Sequence, residues 1–142
     1  MPDTRPSPAY LHAQRQHLAD SEQDIQALET ILAERSWSRL ERHAAERTLQ
    51  LLIESCIGLA KQWNRRETGQ TSAEALTAFQ RLADAGLIEA ATPWRRIIGL
   101  RNVLVHDYLE VDERIVRDVI EARHYHALLD FADTALTALS TD

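Results

Sequence analysis

Arg101, Asn102, His106 and Tyr108 fall within one short stretch, Gly99-Leu100-Arg101-Asn102-Val103-Leu104-Val105-His106-Asp107-Tyr108. An imidazole titrates near neutrality, so His106 could take the proton of an RNA 2′-hydroxyl or give one to the leaving oxygen. A guanidinium grips phosphate through paired hydrogen bonds and stabilises charge developing on it, a role open to Arg101. Asn102 could orient the scissile phosphate or the imidazole. RNA brings its own nucleophile, so this set calls for no metal and no cofactor. The same residues also fit a plainer role, an interface arginine and a helix-terminal histidine. Either way the stretch is apolar enough to be buried, and an unpartnered polar group there costs roughly 2–7 kcal/mol. An internal carboxylate, a subunit interface or a ligand phosphate has to offset that cost.

The helix carrying these residues is expected from Pro93 to about His106 or Asp107, with Thr92 as its N-cap and Pro93 in the first position. Each residue of a helix turns ~100°, so Asn102 and His106 share a face while Arg101 lies about 140° from His106. One straight helix does not bring Arg101 and His106 together. A helix end near His106, or a two-fold copy of the same helix, would have to do so.

Three further long helices and a short one are expected around it. The first spans about Ala9 to Glu34, with Leu11, Leu18, Ile25, Leu28 and Leu32 forming one stripe. After Ser36-Trp37-Ser38 a second runs to about Arg65, opened by a Ser38/Glu41 capping box. Its stripe is Leu40, Ala44, Leu51, Leu52, Cys56, Leu59, Ala60 and Trp63. Glu46 and Glu54 fall roughly on one face of it, and Glu54 is either a partner for a buried arginine or an ordinary flank of the stripe. A Thr71/Glu74 capping box would start a short helix through Leu76, Phe79 and Leu82, ended by Gly86 in the left-handed conformation. Tyr108 to Val111 is a connector. Asp112 then caps a last continuous helix to about Leu139, with Ile115, Val116, Val119, Leu128, Leu129, Phe131, Ala132 and Leu136 on its apolar side. The reading is all-α: an antiparallel bundle, residues 9–142 as one domain and residues 1–8 as a loose arm.

Composition agrees. Only four Gly and four Pro interrupt the chain, and apolar residues make up 44% of it, too many for disorder. No apolar run reaches the ~20 residues of a membrane span, so no membrane partner is expected. The N-terminal ten residues lack the apolar stretch of a signal peptide. A lone Cys56 fits a reducing cytoplasm and reads as a buried, inert thiol. The net charge of −6 argues against a surface that coats nucleic acid nonspecifically. Arg95, Arg96 and Arg101 nonetheless cluster just before the acidic last helix, which leaves room for a local basic cleft.

The run Arg101-Asn102-Val103-Leu104-Val105-His106-Asp107-Tyr108 carries the Arg-x-x-x-x-His-x-Tyr signature of HepT-like proteins in the HEPN superfamily, which this chain resembles. Leu109-Glu110-Val111-Asp112 and Glu46-Arg47-Thr48-Leu49-Gln50-Leu51-Leu52-Ile53-Glu54 look like the same family, and the likeness covers most of residues 9–139. It implies an HEPN-like helical bundle acting as a homodimer, the toxin of a type VII-like toxin–antitoxin pair, cleaving RNA without metal in a cleft between subunits. DNA is not an implied partner. The implied partner is a minimal nucleotidyltransferase antitoxin that transfers AMP to the motif tyrosine. By that likeness Arg101 and His106 are catalytic, Asn102 is supportive and Tyr108 is the AMP acceptor.

Other readings stay open at this point. The chain could be a non-catalytic helical dimer that binds or regulates a nucleotidyltransferase, or a bundle acting on small phosphorylated ligands. His12 and His17 read as solvent-facing. His124 and His126 sit on different faces of a helix and make a poor metal pair. Lys61, Trp63, Arg65 and Arg66 read as a solvated helix end with a core tryptophan rather than an RNA surface. Trp94 beside Arg95-Arg96 lines either the cleft or a dimer seam.

Overall fold

The computed structural model describes residues 5–141. Residues 1–4 of the expected arm lie outside the described residues, and helical structure already begins at Pro8. Among the described residues there are six α-helices and no strand: α1 (Pro8–Glu34), α2 (Arg39–Thr68), α3 (Ala75–Asp84), α4 (Trp94–His106), α5 (Glu113–Glu121) and α6 (Tyr125–Ser140), with one 3₁₀ turn at Tyr108–Glu110. Among the described residues no helix is long and apolar enough to cross a membrane.

α2 is the axis. Its thirty residues bury Leu49, Leu52, Ile53, Cys56, Leu59, Ala60 and Trp63, and it packs against each of the other five helices. Each such side chain contributes roughly 1.5–3 kcal/mol by leaving water. The apolar stripe expected for it is one residue out at its start: Ala45 is buried rather than Ala44, and Leu40 is 73% exposed. The Ser38/Glu41 capping box forms as expected. Ser38 Oγ accepts the Glu41 amide at 3.2 Å, and Glu41 Oε1 accepts the Ser38 amide at 2.8 Å. Arg35 clasps the same carboxylate at 2.7 and 2.8 Å, and that clasp above all pushes the Glu41 carboxyl down to about 2. Trp37 donates to Leu28 O at 2.9 Å, folding the α1–α2 turn back on α1.

Three local expectations are corrected. α3 starts at Ala75 with Glu74 as an uncapped N-cap, so the Thr71/Glu74 box is absent. α4 starts at Trp94, and Thr92 contributes its carbonyl to the Trp94 amide rather than a side-chain cap. The final helix is two. Asp112 caps α5 as expected, accepting the Arg114 amide at 3.0 Å, but Ala122–His124 then break the chain, with Arg123 at a φ of 60°. No Gly or Pro marks that break. It is held from outside, because Arg123 Nε at 2.8 Å and the Tyr125 hydroxyl at 2.6 Å both donate to Glu29 on α1.

The far end of α6 has no basic residue in its last turn, and arginines of two other helices reach it instead. Arg66 of α2 donates to Ala138 O and Thr141 O, and Arg15 of α1 donates to Ser140 Oγ at 2.9 Å. Arg66 is thereby engaged, Lys61 donates to Ala73 O at 3.3 Å and Trp63 is buried, in line with a structural helix end. His17 is corrected from solvent-facing to half-buried, 3.3 Å from Leu51 O.

Candidate active site

α4 is positioned by its first residue. Trp94 is buried and stacks on Phe79 of α3, with ring centroids 3.8 Å apart and planes 13° apart, while Phe131 of α6 meets the indole edge-on at 4.9 Å. Trp94 therefore belongs to the core and lines neither a cleft nor a seam. From that anchor α4 lies across α2 with one side open. Only Trp94 and Leu104 of its thirteen residues are buried, so the motif is a surface feature and not the buried run its composition implied.

Arg101 turns toward α2. Its Nη1 donates to Glu54 Oε1 at 3.1 Å and its Nε donates to Asn102 Oδ1 at 2.9 Å. An internal carboxylate thus meets the arginine, and Arg101 and Asn102 are partnered within one chain rather than left free. Five N–H donors sit on a guanidinium, and two are engaged, so the Nη2 pair and one on Nη1 are left for an anion. Asn102 itself is exposed.

His106 is the last residue of α4 and is exposed. The helix stops at Asp107, whose amide reaches Val103 O at 2.9 Å before the backbone leaves helical geometry. On the same helix as Arg101 but five residues on, His106 faces away from α2. The two groups are not brought to one point by this chain alone.

Tyr108 begins the 3₁₀ turn and is 67% exposed. Beside it lies a polar cavity of about 460 Å³, walled by Arg42, His43 and Glu46 of α2 and by Asp112, Glu113 and Arg114 at the start of α5. Arg42 is ion-paired with Glu113, and Arg114 with Asp112 at 3.1 Å. The Arg114 hydrogen bonds hold the Asp112 carboxyl below its ordinary range. Arg42, His43 and Arg114 are site residues that sequence reasoning missed. Only Arg42 left a signal: Arg42, Glu46, Gln50 and Glu54 repeat every four residues as a polar row along α2, whereas nothing in the spacing marks His43 or Arg114. Because α2 and α4 run antiparallel, that row passes the motif in reverse. Glu54 meets Arg101, and Glu46 reaches the cavity at Tyr108.

On the other side of α4 an apolar groove of about 840 Å³ opens toward α5. It is walled by Leu49, Ile53, Ile97, Leu100, Val103, Ile115 and Val119, with Arg96, Arg114, Glu110 and Asp118 on its margin. Ile115, expected on the core side of its helix, is 51% exposed here. Arg95 is exposed on α4. His124 pairs with Asp118 at 3.4 Å, and no group of three His, Cys, Asp or Glu able to hold a metal ion occurs among the described residues.

The described residues form an all-helical bundle whose motif helix is stacked on an aromatic core and carries arginine, asparagine and histidine along its open side. Two solved structures share the fold across nearly the whole chain. One is a toxin–antitoxin complex with AMP-PNP, at a TM-score of 0.73 and 22% identity over 95% of this chain and 99% of that one. The other is a tri-AMPylated HEPN toxin of Shewanella oneidensis in complex with an MNT antitoxin, at 0.71 and 24% over 94% of this chain and 97% of that one. The family model for Ribonuclease HepT-like proteins matches residues 16–135, and the chain belongs to that family. It is also similar to the mRNA nuclease HepT of Shewanella oneidensis, 34% identical over 85 residues, which are 58% of this chain and 61% of that relative.

Proposed function

We propose that the protein is a metal-independent endoribonuclease, the toxin of a type VII-like toxin–antitoxin pair, working in the cytoplasm and neutralised by a minimal nucleotidyltransferase antitoxin. The observation that carries this reading is the guanidinium of Arg101, fixed by Glu54 and Asn102 with three N–H donors to spare, five residues before the exposed His106. Family membership and the names of the similar proteins support it: an mRNA nuclease and a HEPN toxin bound to its MNT antitoxin.

In this mechanism the scissile phosphate docks on the free N–H groups of Arg101. His106 removes the 2′-hydroxyl proton, the 2′-oxygen attacks phosphorus, and the bond to the 5′-oxygen breaks. A protonated imidazole returns a proton to that leaving oxygen. Arginine and histidine face different ways on one helix, so a second copy of the chain supplies the complementary group. The groove beside α4 offers apolar walls and a margin of both charge signs, as a self-complementary two-fold contact needs.

Control falls to Tyr108. Its exposed hydroxyl attacks the α-phosphorus of ATP held by the antitoxin and expels pyrophosphate, the phenolic proton passing to solvent. The adenylate adds bulk and negative charge next to Arg101 and His106 and repels incoming phosphates. The test is cleavage of single-stranded RNA in EDTA. Wild type degrades it, whereas His106→Ala loses roughly 10²-fold or more of the rate while keeping its helical content, the loss a general acid–base catalyst accounts for. Undiminished cleavage by the variant would remove His106 from the chemistry.

A further inference from the structure

Glu54 is the residue of this site whose role the cleavage mechanism leaves open. It sits on α2 between Ile53 and Ser55, both buried, yet its own side chain is 38% exposed and that of Arg101 22%. An ion pair this open to solvent is worth about 0–1 kcal/mol, so stability is a poor reason for it. Its geometric effect is larger. Glu54 fixes Nη1 and Asn102 fixes Nε, so two of the three guanidinium nitrogens are tied and the plane of the group is set. The third nitrogen, Nη2, carries the free pair of N–H groups. The tie reaches into the most deeply packed helix of the protein, while Asn102 belongs to the motif itself and moves with it.

We propose that Glu54 is a positioning residue for Arg101: it locks the guanidinium plane so that the free N–H groups meet the phosphate only in the geometry of the developing transition state. This rests on the ribonuclease reading above. Glu54 also puts a negative charge beside the phosphate, which weakens ground-state binding. Removing it therefore moves binding and turnover in opposite directions, as loss of an orienting contact that also repels substrate should. A neutral amide at the same place still accepts the Nη1 hydrogen bond and keeps the lock.

The experiment compares full-length wild type, Glu54→Ala and Glu54→Gln on a short single-stranded RNA. Binding is measured on the same oligonucleotide with its 2′-hydroxyls removed. In parallel, the exchange of the Arg101 Nη N–H groups, one of which donates to Glu54, is followed by nitrogen-15 NMR without substrate. Glu54→Ala should lower kcat roughly 10- to 100-fold, the cost of a misplaced group, with KM equal or lower and Tm nearly unchanged. Its Arg101 Nη N–H groups should exchange faster, and Glu54→Gln should stay near wild type in both readouts. Unchanged kcat in Glu54→Ala, or equal losses in both variants with a falling Tm, would overturn the assignment. So would Arg101 Nη N–H groups as protected in Glu54→Ala as in wild type. That last arm needs no cleavage, so a wild type that left RNA intact would refute the ribonuclease reading while the NMR result still decided the role of Glu54.

Discussion

At the scale of single residues, the site is defined by what each polar group has left to offer. Arg101 has three N–H donors free after its bonds to Glu54 and Asn102. Cys56 has nothing to offer: it is fully buried, its S–H points at Leu128 O 3.3 Å away, and burial pushes the thiol pKa well above its ordinary value. Tyr108 offers an exposed hydroxyl that the cleavage chemistry does not use. Tyr108→Phe should therefore cut RNA at the wild-type rate. Co-expressed with a minimal nucleotidyltransferase of the proposed antitoxin kind, wild type should gain one or more adenylates by intact mass and lose activity. The phenylalanine variant should do neither, and adenylate found elsewhere on the chain would displace Tyr108 as acceptor. The pairing of Arg101 with a carboxylate was half legible, since Glu54 stood out as a charge set among α2 core residues. That Asn102 would bind its own neighbour was not, because an adjacent contact leaves no periodic trace.

At the scale of elements, α4 is only as well placed as its aromatic anchor. Phe79→Ala removes the face on which Trp94 stacks and should cost about 3–5 kcal/mol, read as a lowered Tm by calorimetry. The helix ends were readable where caps are local: the Ser38/Glu41 box opens α2 and the left-handed Gly86 follows α3 as expected, whereas the left-handed Gly69 carries α2 to Thr68, past the end expected at about Arg65. The α5–α6 break was not readable. Ala122, Arg123 and His124 carry no helix-breaking signal, and the bend depends on Glu29, some ninety residues away in sequence. That contact gives a pH signature. The hydrogen bond from Tyr125, chiefly, lowers the Glu29 pKa, so its ionised form stabilises the fold. The contribution is complete above the ordinary value of 4.5 and is lost as pH falls through the lower folded value. Tyr125, pushed up to about 12 by burial and then by Glu29, keeps its share below pH 10 and loses it between pH 10 and about 12. Glu29→Gln should flatten both flanks of a Tm-versus-pH curve. Flanks as steep as in wild type would place the titrating groups elsewhere.

At the scale of the whole molecule, a single chain presents an arginine and a histidine about 140° apart around one helix, beside an apolar groove walled by α2, α4 and α5. If a second copy completes the site, each cleft takes its arginine from one subunit and its histidine from the other. Arg101→Ala and His106→Ala subunits, each inactive, should then regain about a quarter of wild-type activity when mixed and reassorted: half of the dimers are mixed, with one of two clefts complete. No recovery, with exchange verified by mass, would mean that each chain carries its whole site. In the proposed reaction RNA's own 2′-hydroxyl is the nucleophile, with Arg101 and His106 as the machinery. The most direct measurement is mass spectrometry of the fragment ends produced in EDTA. Ends bearing a 5′-hydroxyl and a 2′,3′-cyclic phosphate are predicted, with no cleavage where the 2′-hydroxyl has been removed. Ends bearing a 5′-phosphate and a 3′-hydroxyl, or cleavage of the deoxy site, would contradict it.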